Sequence, residues 1–433
     1  MIPTIIISVS TFILVILSIL LFPHIKIKNL RIDTYWIVAL LGAIILLAFS
    51  FAPIKEVGEQ LVSSTAINPI KILILFFSMT MISIILDELG LFKYLASVAS
   101  KRAKSNQFIL FILLYFLTSI LTVFTSNDVV ILTLTPFICF FSKRSKINPI
   151  PYLVAEFVAA NTWSLMLMIG NPTNIYLATS AGIKFIDYFK VMAAPTLVAG
   201  ITELLLLLLL FFRSLRTPLE NNETVYQVED KVPLIVGLVD LFVCLVFLVI
   251  SSYLNIEMWL VSLICAGTLL LFMLIYSIFR RGNIAHVGET FKRLPYQLIP
   301  FFLSMFVIVV ALNYQGITPK LAEFLGNKYT IWSYGYMSFL SSNLINNIPM
   351  SILFTNLTST ITGPEYLRAV YASIIGSNIG AFLTPIGALA GIMFSNLVRE
   401  NNVRFTFINF IEYGVIISIP TISVVLAMLG IFV

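Results

Sequence analysis

Four polar clusters interrupt an otherwise apolar chain: Ser126-Asn127-Asp128, Gly170-Asn171-Pro172-Thr173-Asn174, Asn346-Asn347-Ile348-Pro349, and Gly376-Ser377-Asn378 followed by Thr384-Pro385-Ile386-Gly387. Asn, Ser and Thr offer amides and hydroxyls that can hold a small polar solute or a cation. Gly and Pro end helices, and the freed backbone groups favour cations at a C-terminus and anions at an N-terminus. Each cluster also has a local reading, as a Pro kink or hairpin tip capped by its own polar side chains. Asp128 resists that reading. A carboxylate at membrane depth is expensive, usually faces a cavity and often marks an ion or proton pathway. The candidate substrate- or ion-binding residues are therefore Ser126, Asn127, Asp128, Gly170, Asn171, Thr173, Asn174, Asn346, Asn347, Ser377, Asn378, Thr384 and Gly387, with Asp128 as the proton-coupling group. Gly376 with Gly380, and Gly387 with Gly391, equally fit the small-xxx-small pattern of close helix packing. Glu156, Glu203 and Asp240 lie in apolar runs without a repeated polar cluster, and read as paired structural carboxylates.

No cluster offers catalysis. His24 and His286 fall between apolar runs, and no HExxH, GxSxG or Walker A pattern occurs. Cys139, Cys244 and Cys265 sit in apolar segments without a CxxC, so they form neither a disulfide framework nor a metal site. The expectation is no enzyme, no catalytic residue, no metal and no cofactor.

The elements that must position these clusters follow from composition. Of 433 residues 59% are hydrophobic and 11% charged, where a soluble chain has roughly 45–50% and about 25%. The chain is expected to be a polytopic membrane protein, with the lipid bilayer as its solvent, and no binder of nucleic acid. Its net charge of +6 is read as topology. The apolar start, Met1–Phe22, has no Lys or Arg before it and Lys26, Lys28 and Arg31 after it. That is a first span with its N-terminus outside, not a signal peptide.

Spans of roughly 20 apolar residues are expected at 3–22, 34–53, 70–89, 149–185, 190–213, 233–252, 257–279, 296–314, 366–395 and 408–432. The two long ones, 149–185 and 366–395, are broken at their polar clusters. The stretches 107–142 and 330–357 are read as re-entrant hairpins. Lys101, Arg102 and Lys104 precede the first and Lys143, Arg144 and Lys146 follow it, so both its ends lie on the cytoplasmic side. Its second arm, 129–142, is short for a crossing. With this map most of the 26 Lys and Arg residues fall inside.

The order span, hairpin, broken span, span occurs twice. Phe76-Phe77-Ser78-Met79 and Gly90 recur at the same spacing as Phe302-Leu303-Ser304-Met305 and Gly316. Asn127-Asp128 matches Asn346-Asn347, and Asn161 with Ile169-Gly170 matches Asn378 with Ile386-Gly387. The first copy starts outside and the second inside, so the expected fold class is an all-α polytopic membrane protein with an inverted-topology repeat, two re-entrant hairpins and two broken helices. Its parts are a first repeat at 1–213, a cytoplasmic linker at 214–232 and a second repeat at 233–433. Carriers of this build hold substrate at the midplane between the repeats. No Lys, Arg or His falls at that depth, which suits a small neutral hydroxide better than an anion.

At these residues the chain resembles the arsenite permease branch of the ion transporter superfamily. The run Ile85-Leu86-Asp87-Glu88-Leu89-Gly90-Leu91-Phe92 resembles that family's segment after its third span. Asn127-Asp128 with Leu132-Thr133-Leu134-Thr135-Pro136 resembles its first hairpin, Asn346-Asn347-Ile348-Pro349 its second, and Gly376 through Gly391 its last broken helix. The resemblance implies an elevator-type secondary carrier, a homodimer in the cell membrane of a bacterium or archaeon. It implies export of arsenite and antimonite in exchange for H+, in some members with a soluble arsenite-stimulated ATPase as partner. The broken helix Gly170–Asn174 is closer to the divalent anion/sodium symporters and sodium/proton antiporters of the same superfamily. The alternative reading is accordingly a Na+-coupled symporter of small anions (di- or tricarboxylate, sulfate) or a sodium/proton antiporter.

Overall fold

Lipid offers backbone groups no partner, so an apolar chain closes its hydrogen bonds within helices. The computed structural model is accordingly almost wholly helical. It describes residues 1–433 apart from 23, 28–29, 63–67, 219–225, 255 and 280–284. The middle of the expected linker, 219–225, lies outside the described residues.

The chain begins with α1 (Ile2–Leu21), a strand pair β1 (His24–Ile27) and β2 (Leu30–Asp33), α2 (Tyr35–Ala48) and the short α3 (Ile54–Val62). Next come α4 (Pro69–Glu88), α5 (Leu91–Ala103), the hairpin α6 (Gln107–Phe124) and α7 (Asn127–Arg144), the broken pair α8 (Ile150–Trp163) and α9 (Pro172–Ser180), and α10 (Phe185–Phe211). Then α11 (Lys231–Leu254), α12 (Met258–Phe279) and α13 (Ala285–Arg293) lead into α14 (Leu298–Tyr314) and α15 (Ile317–Leu325). The hairpin α16 (Thr330–Ile345) and α17 (Asn347–Thr358), the broken pair α18 (Pro364–Gly380) and α19 (Leu389–Glu400), and α20 (Phe407–Phe432) complete the chain. Eight described helical stretches are long and apolar enough to cross a membrane.

The sequence α4–α10 and the sequence α14–α20 share one order of parts: long helix, short helix, hairpin, broken helix, long helix. The match reaches single residues. Both short helices start from a left-handed glycine, Gly90 at φ 86° and Gly316 at φ 71°, a conformation in which a side chain is strained. Local sequence sets the ends of several helices. Asn68 caps α4 by accepting from the amides of Ile70 and Lys71, and Asn106 caps α6 through Phe108 and Ile109. Thr406 and Asn409 close a reciprocal capping box on α20.

Some elements differ from expectation. α7 has 18 residues, as many as α6, because Asn127 and Asp128 extend it before 129–142 and Lys143 and Arg144 beyond it; cations suit a helix C-terminus. Gly376-Ser377-Asn378 stays helical within α18, and that helix breaks only after Gly380. The segment after α1 is a strand pair, with His24 Nδ1 2.5 Å from Asp33 Oδ1.

Apolar surface does not by itself drive helices together in lipid; small residues and polar ties do. α16 lies so close to α18 that a Cβ on Gly376 would stand 1.9 Å from Ser338 Oγ and 2.2 Å from the Gly335 carbonyl. One on Gly380 would stand 2.3 Å from Ser342 Oγ, and one on Gly391 2.4 Å from the Pro385 carbonyl. Gly376 and Gly380 thus pack α18 on α16, and Gly391 packs the start of α19 on the break before it. In α8 the positions matching Gly376 and Gly380 are Ala159 and Trp163. Trp163 Nε1 donates to Tyr115 Oη on α6 (3.3 Å), which donates to the Gly200 carbonyl on α10 (2.7 Å).

Candidate functional site

Both hairpin tips and both helix breaks meet at one small cavity. Its wall consists of Asn127 and Asp128 from the first tip, Asn171 and Pro172 from the first break, Asn347 and Ile348 from the second tip, Ala388–Ala390 from the second break, and Leu298 at the start of α14. The space is about 10 Å3, room for one water-sized sphere. It is lined by one carboxylate, three amides and no Lys, Arg or His. Breaks lie within spans, so tips that meet them lie at the same depth.

Behind that wall Asn378 joins the two broken helices. Its Oδ1 accepts from Asn171 Nδ2 (3.0 Å) and Ser164 Oγ (2.9 Å), and its Nδ2 donates to Asn174 Oδ1 (2.7 Å) and the Ile374 carbonyl (2.9 Å). Ser377 Oγ donates to Thr173 Oγ1 at 3.1 Å, and Asn171 Oδ1 caps α9 through the Thr173 amide at 3.2 Å. Asn174 Nδ2 donates to the Ser164 carbonyl at 2.8 Å, and Gly170 packs on that same residue with no room for a Cβ. All are buried. Asn378 has every donor and acceptor engaged, so Thr173, Asn174, Ser377 and Asn378 hold the site's frame while Asn171 faces both frame and cavity.

The second tip is tied down in the same way. Asn343 Nδ2 donates to the Gly380 carbonyl (2.9 Å), and its Oδ1 accepts from the Thr384 amide (3.1 Å) and hydroxyl (2.7 Å). Asn346, at φ 70°, donates to the Ile386 carbonyl (2.9 Å) and caps α17 through Ile348; the Asn347 amide donates to the Gly387 carbonyl (2.9 Å). Among the candidates, then, Asn346, Thr384 and Gly387 latch the tip, and Asn347 reaches the cavity.

The first tip differs. Ser126 stands at the N-cap of α7 yet makes no capping bond, and its buried Oγ has no described partner. Asn127 Nδ2 reaches Asn161 Oδ1 at 3.3 Å, while its own Oδ1 has no partner among the described residues. The Asp128 side chain makes no hydrogen bond or ion pair with a described residue, although it is only 8% exposed. Counted from the helix starts, the residue matching Asp128 in α17 is the apolar Ile348, not Asn347.

The other acids expected to be paired meet threonines rather than cations. Glu156 accepts from Thr135 (2.9 Å), Glu203 from Thr162 (2.5 Å) and Asp240 from Thr268 (3.4 Å). One ionic cluster lies outside the residues that the sequence marks. Arg293 at the end of α13 lies 2.6 Å from Asp87 and 2.5 Å from Glu88, and Thr133 of α7 donates to Asp87 at 2.8 Å. Its only sequence signal was the Asp87-Glu88 pair ending a span. Ser164 and Asn343 were equally unmarked as ties.

Comparison with known proteins agrees with this architecture. A family model described as "Citrate transporter" matches residues 12–363. An arsenical pump membrane protein of Escherichia coli is 26% identical over 411 residues, covering 90% of this chain and 92% of that one. Another, from strain K12, is 29% identical over 378 residues, covering 82% and 85%. The crystal structure of the YdaH transporter of Alcanivorax borkumensis, described as having an unusual topology, superposes with a TM-score of 0.52 at 14% identity, covering 99% of this chain and 97% of that one. A fold shared from end to end, built around one polar cavity between two hairpins, accompanies that family match: the chain belongs to the citrate transporter family and is a multi-pass membrane transporter.

Proposed function

We propose that this chain exports arsenite, and antimonite with it, in exchange for protons. The observation that supports this best is the cavity wall of Asn127, Asp128, Asn171 and Asn347, with no Lys, Arg or His. Arsenous acid is a small neutral trihydroxide. Amides and one carboxylate satisfy its hydroxyls, and no counter-charge is required. Citrate is anionic, and here it would meet a carboxylate without a cation, so its desolvation would go uncompensated. The relatives named arsenical pump membrane protein favour the same substrate.

In this reading the proton and the substrate compete for Asp128. Ionised, the carboxylate accepts a charge-assisted hydrogen bond from an arsenite hydroxyl. Protonation on the outer side breaks that bond and releases the substrate; the protonated site returns and gives its proton to the cytoplasm. The two hairpins and two broken helices, tied through Asn378, move as one carrier past α4 and α14. The copies α4–α10 and α14–α20 face opposite sides of the membrane, with the N-terminus outside. A homodimer in the cell membrane, with a soluble ATPase as an optional partner, belongs to the same reading.

Everted vesicles test it. Arsenite should accumulate under an inside-acid gradient, stop when a protonophore is added, and ignore replacement of sodium by potassium. Sodium-dependent uptake of citrate without arsenite transport would overturn the proposal. Cysteines at 143–147 should label from the cytoplasmic face and those at 358–365 from the other; labelling of both from one face would remove the inverted arrangement.

A further inference from the structure

At the far end of α9 from the polar cavity lies a second, larger space of about 450 Å3. It opens between α9 and the turn 181–184 on one side, and α4 with the α11–α12 connection on the other. Its deep wall is apolar, made by Ile72, Leu75, Ile175 and Ile183. Its polar edge is made by Lys71, Lys184 and Glu257. Glu257 is already engaged: Oε2 lies 2.6 Å from Lys71 Nζ and accepts from Trp259 Nε1 at 2.6 Å. Lys184 has no carboxylate partner among the described residues, and its ammonium lies 5.6 Å from the Tyr253 ring. Asp187, one turn further on, pairs instead with Lys190 at 3.3 Å. The edge therefore bears a net positive charge.

The mouth of this cleft is apolar as well. Tyr253, Leu254, Ile256 and Leu260 around it are 64%, 58%, 40% and 39% exposed. Exposed aliphatic side chains beside Trp259 and Tyr253 mark the level where hydrocarbon meets headgroups. A water-soluble anion has no use for such a mouth or for the apolar wall behind it. An amphiphile with a negative head fits both. We propose that this cleft binds an acidic phospholipid, its headgroup on Lys184 and Lys71 and an acyl chain along Ile72, Leu75 and Ile175. The site is separate from the polar cavity and independent of what that cavity transports.

Native mass spectrometry of the full chain, released from membranes and offered phosphatidylglycerol or phosphatidylcholine, tests the proposal. The parent should retain phosphatidylglycerol in preference, and Lys184→Gln should lower that retention about fivefold, the effect of one basic residue at a membrane surface. Lys71→Gln also unpairs Glu257, so the deciding second variant is Thr179→Trp, which puts an indole into the acyl-chain path and keeps every charge. It should lose the lipid with its melting temperature unchanged. Equal retention of the two lipids by the parent would overturn the site, as would unaltered retention of phosphatidylglycerol by both variants. Displacement of the lipid by soluble glycerol phosphate would overturn it too, by making the cleft a free-anion site.

Discussion

The two hairpin tips reach the same cavity by opposite means. The second is fastened: Asn343, Asn346 and the Asn347 amide tie it to the break between α18 and α19, and Gly376 and Gly380 bring α16 against α18 without a gap. The first leaves Ser126 Oγ and Asn127 Oδ1 without a described partner, faces Asp128 into the cavity, and meets α8 through a single long bond from Asn127 to Asn161. Burying an unsatisfied polar group costs about 1–3 kcal/mol. Among the described residues the second tip leaves only the Asn347 side chain open to the cavity, whereas the first leaves Ser126, Asn127 Oδ1 and Asp128 without a partner. The greater binding capacity therefore lies at the first tip. One tip is a wall, and the other is a hand.

The largest effect should come from removing the titration at that hand. Asp128→Asn keeps the size but holds the side chain neutral, like the protonated carboxyl, so arsenite binding should weaken and lose its pH dependence while uphill, proton-driven accumulation in everted vesicles disappears. A variant that still concentrates substrate like the parent would move coupling elsewhere, with Glu203 the next residue to test. Next comes the wall. Gly376→Ala drives a methyl into Ser338 and the Gly335 carbonyl, and overpacking of this kind costs about 1–3 kcal/mol. Thermal unfolding in detergent should show a drop of several degrees, against a smaller one for Ala159→Gly in α8, where the cost is about 1 kcal/mol. Equal drops would erase the difference in packing between the hairpins.

A smaller loss is expected from Asn343→Ala, which frees Thr384 and the Gly380 carbonyl. Ties within membrane bundles average about 0.6 kcal/mol each, so the melting temperature should fall by a few degrees, with transport slowed rather than abolished. Ser126→Ala should have the least effect on stability, within about 0.5 kcal/mol, because its hydroxyl bonds to no described residue. It should nevertheless weaken substrate binding by roughly 2–10-fold, the worth of one hydrogen bond at about 0.5–1.5 kcal/mol. Isothermal titration or scintillation proximity with purified protein would read it. Unchanged binding would make the open tip a structural accident.

Much of this architecture was legible from residue types. Gly-Asn-Pro and Thr-Pro-Ile-Gly end helices by their own stereochemistry, so both breaks could be placed, and Lys and Arg on both flanks announced the first hairpin. Short helices were not legible. α3, α5, α13 and α15 have 9, 13, 9 and 9 residues, too few apolar positions to register as spans, and they read as loops. Arg293 was hidden for that reason, although it anchors Asp87 and Glu88. Within the site, Asn and Ser types pointed correctly to polar clusters but not to their division of labour. Asn171 faces the cavity while Asn174 is spent on Asn378 and Ser164. That division depends on contacts between residues half a chain apart, which spacing does not encode.

Asn378 also imposes an order on synthesis. Its partners Asn171 and Asn174 precede it by 207 and 204 residues, so at about 5–20 residues per second they wait roughly 10–40 s in the bilayer before it is made. During that interval Asn171 Nδ2 and Asn174 Oδ1 at the first break lack their mate on Asn378. The early half must shelter them in the insertion machinery, in trapped water or in provisional pairings that Asn378 later displaces. A ribosome stalled before residue 378 would leave a chain with its spans inserted and its centre unassembled, a substrate for membrane proteases rather than half a transporter.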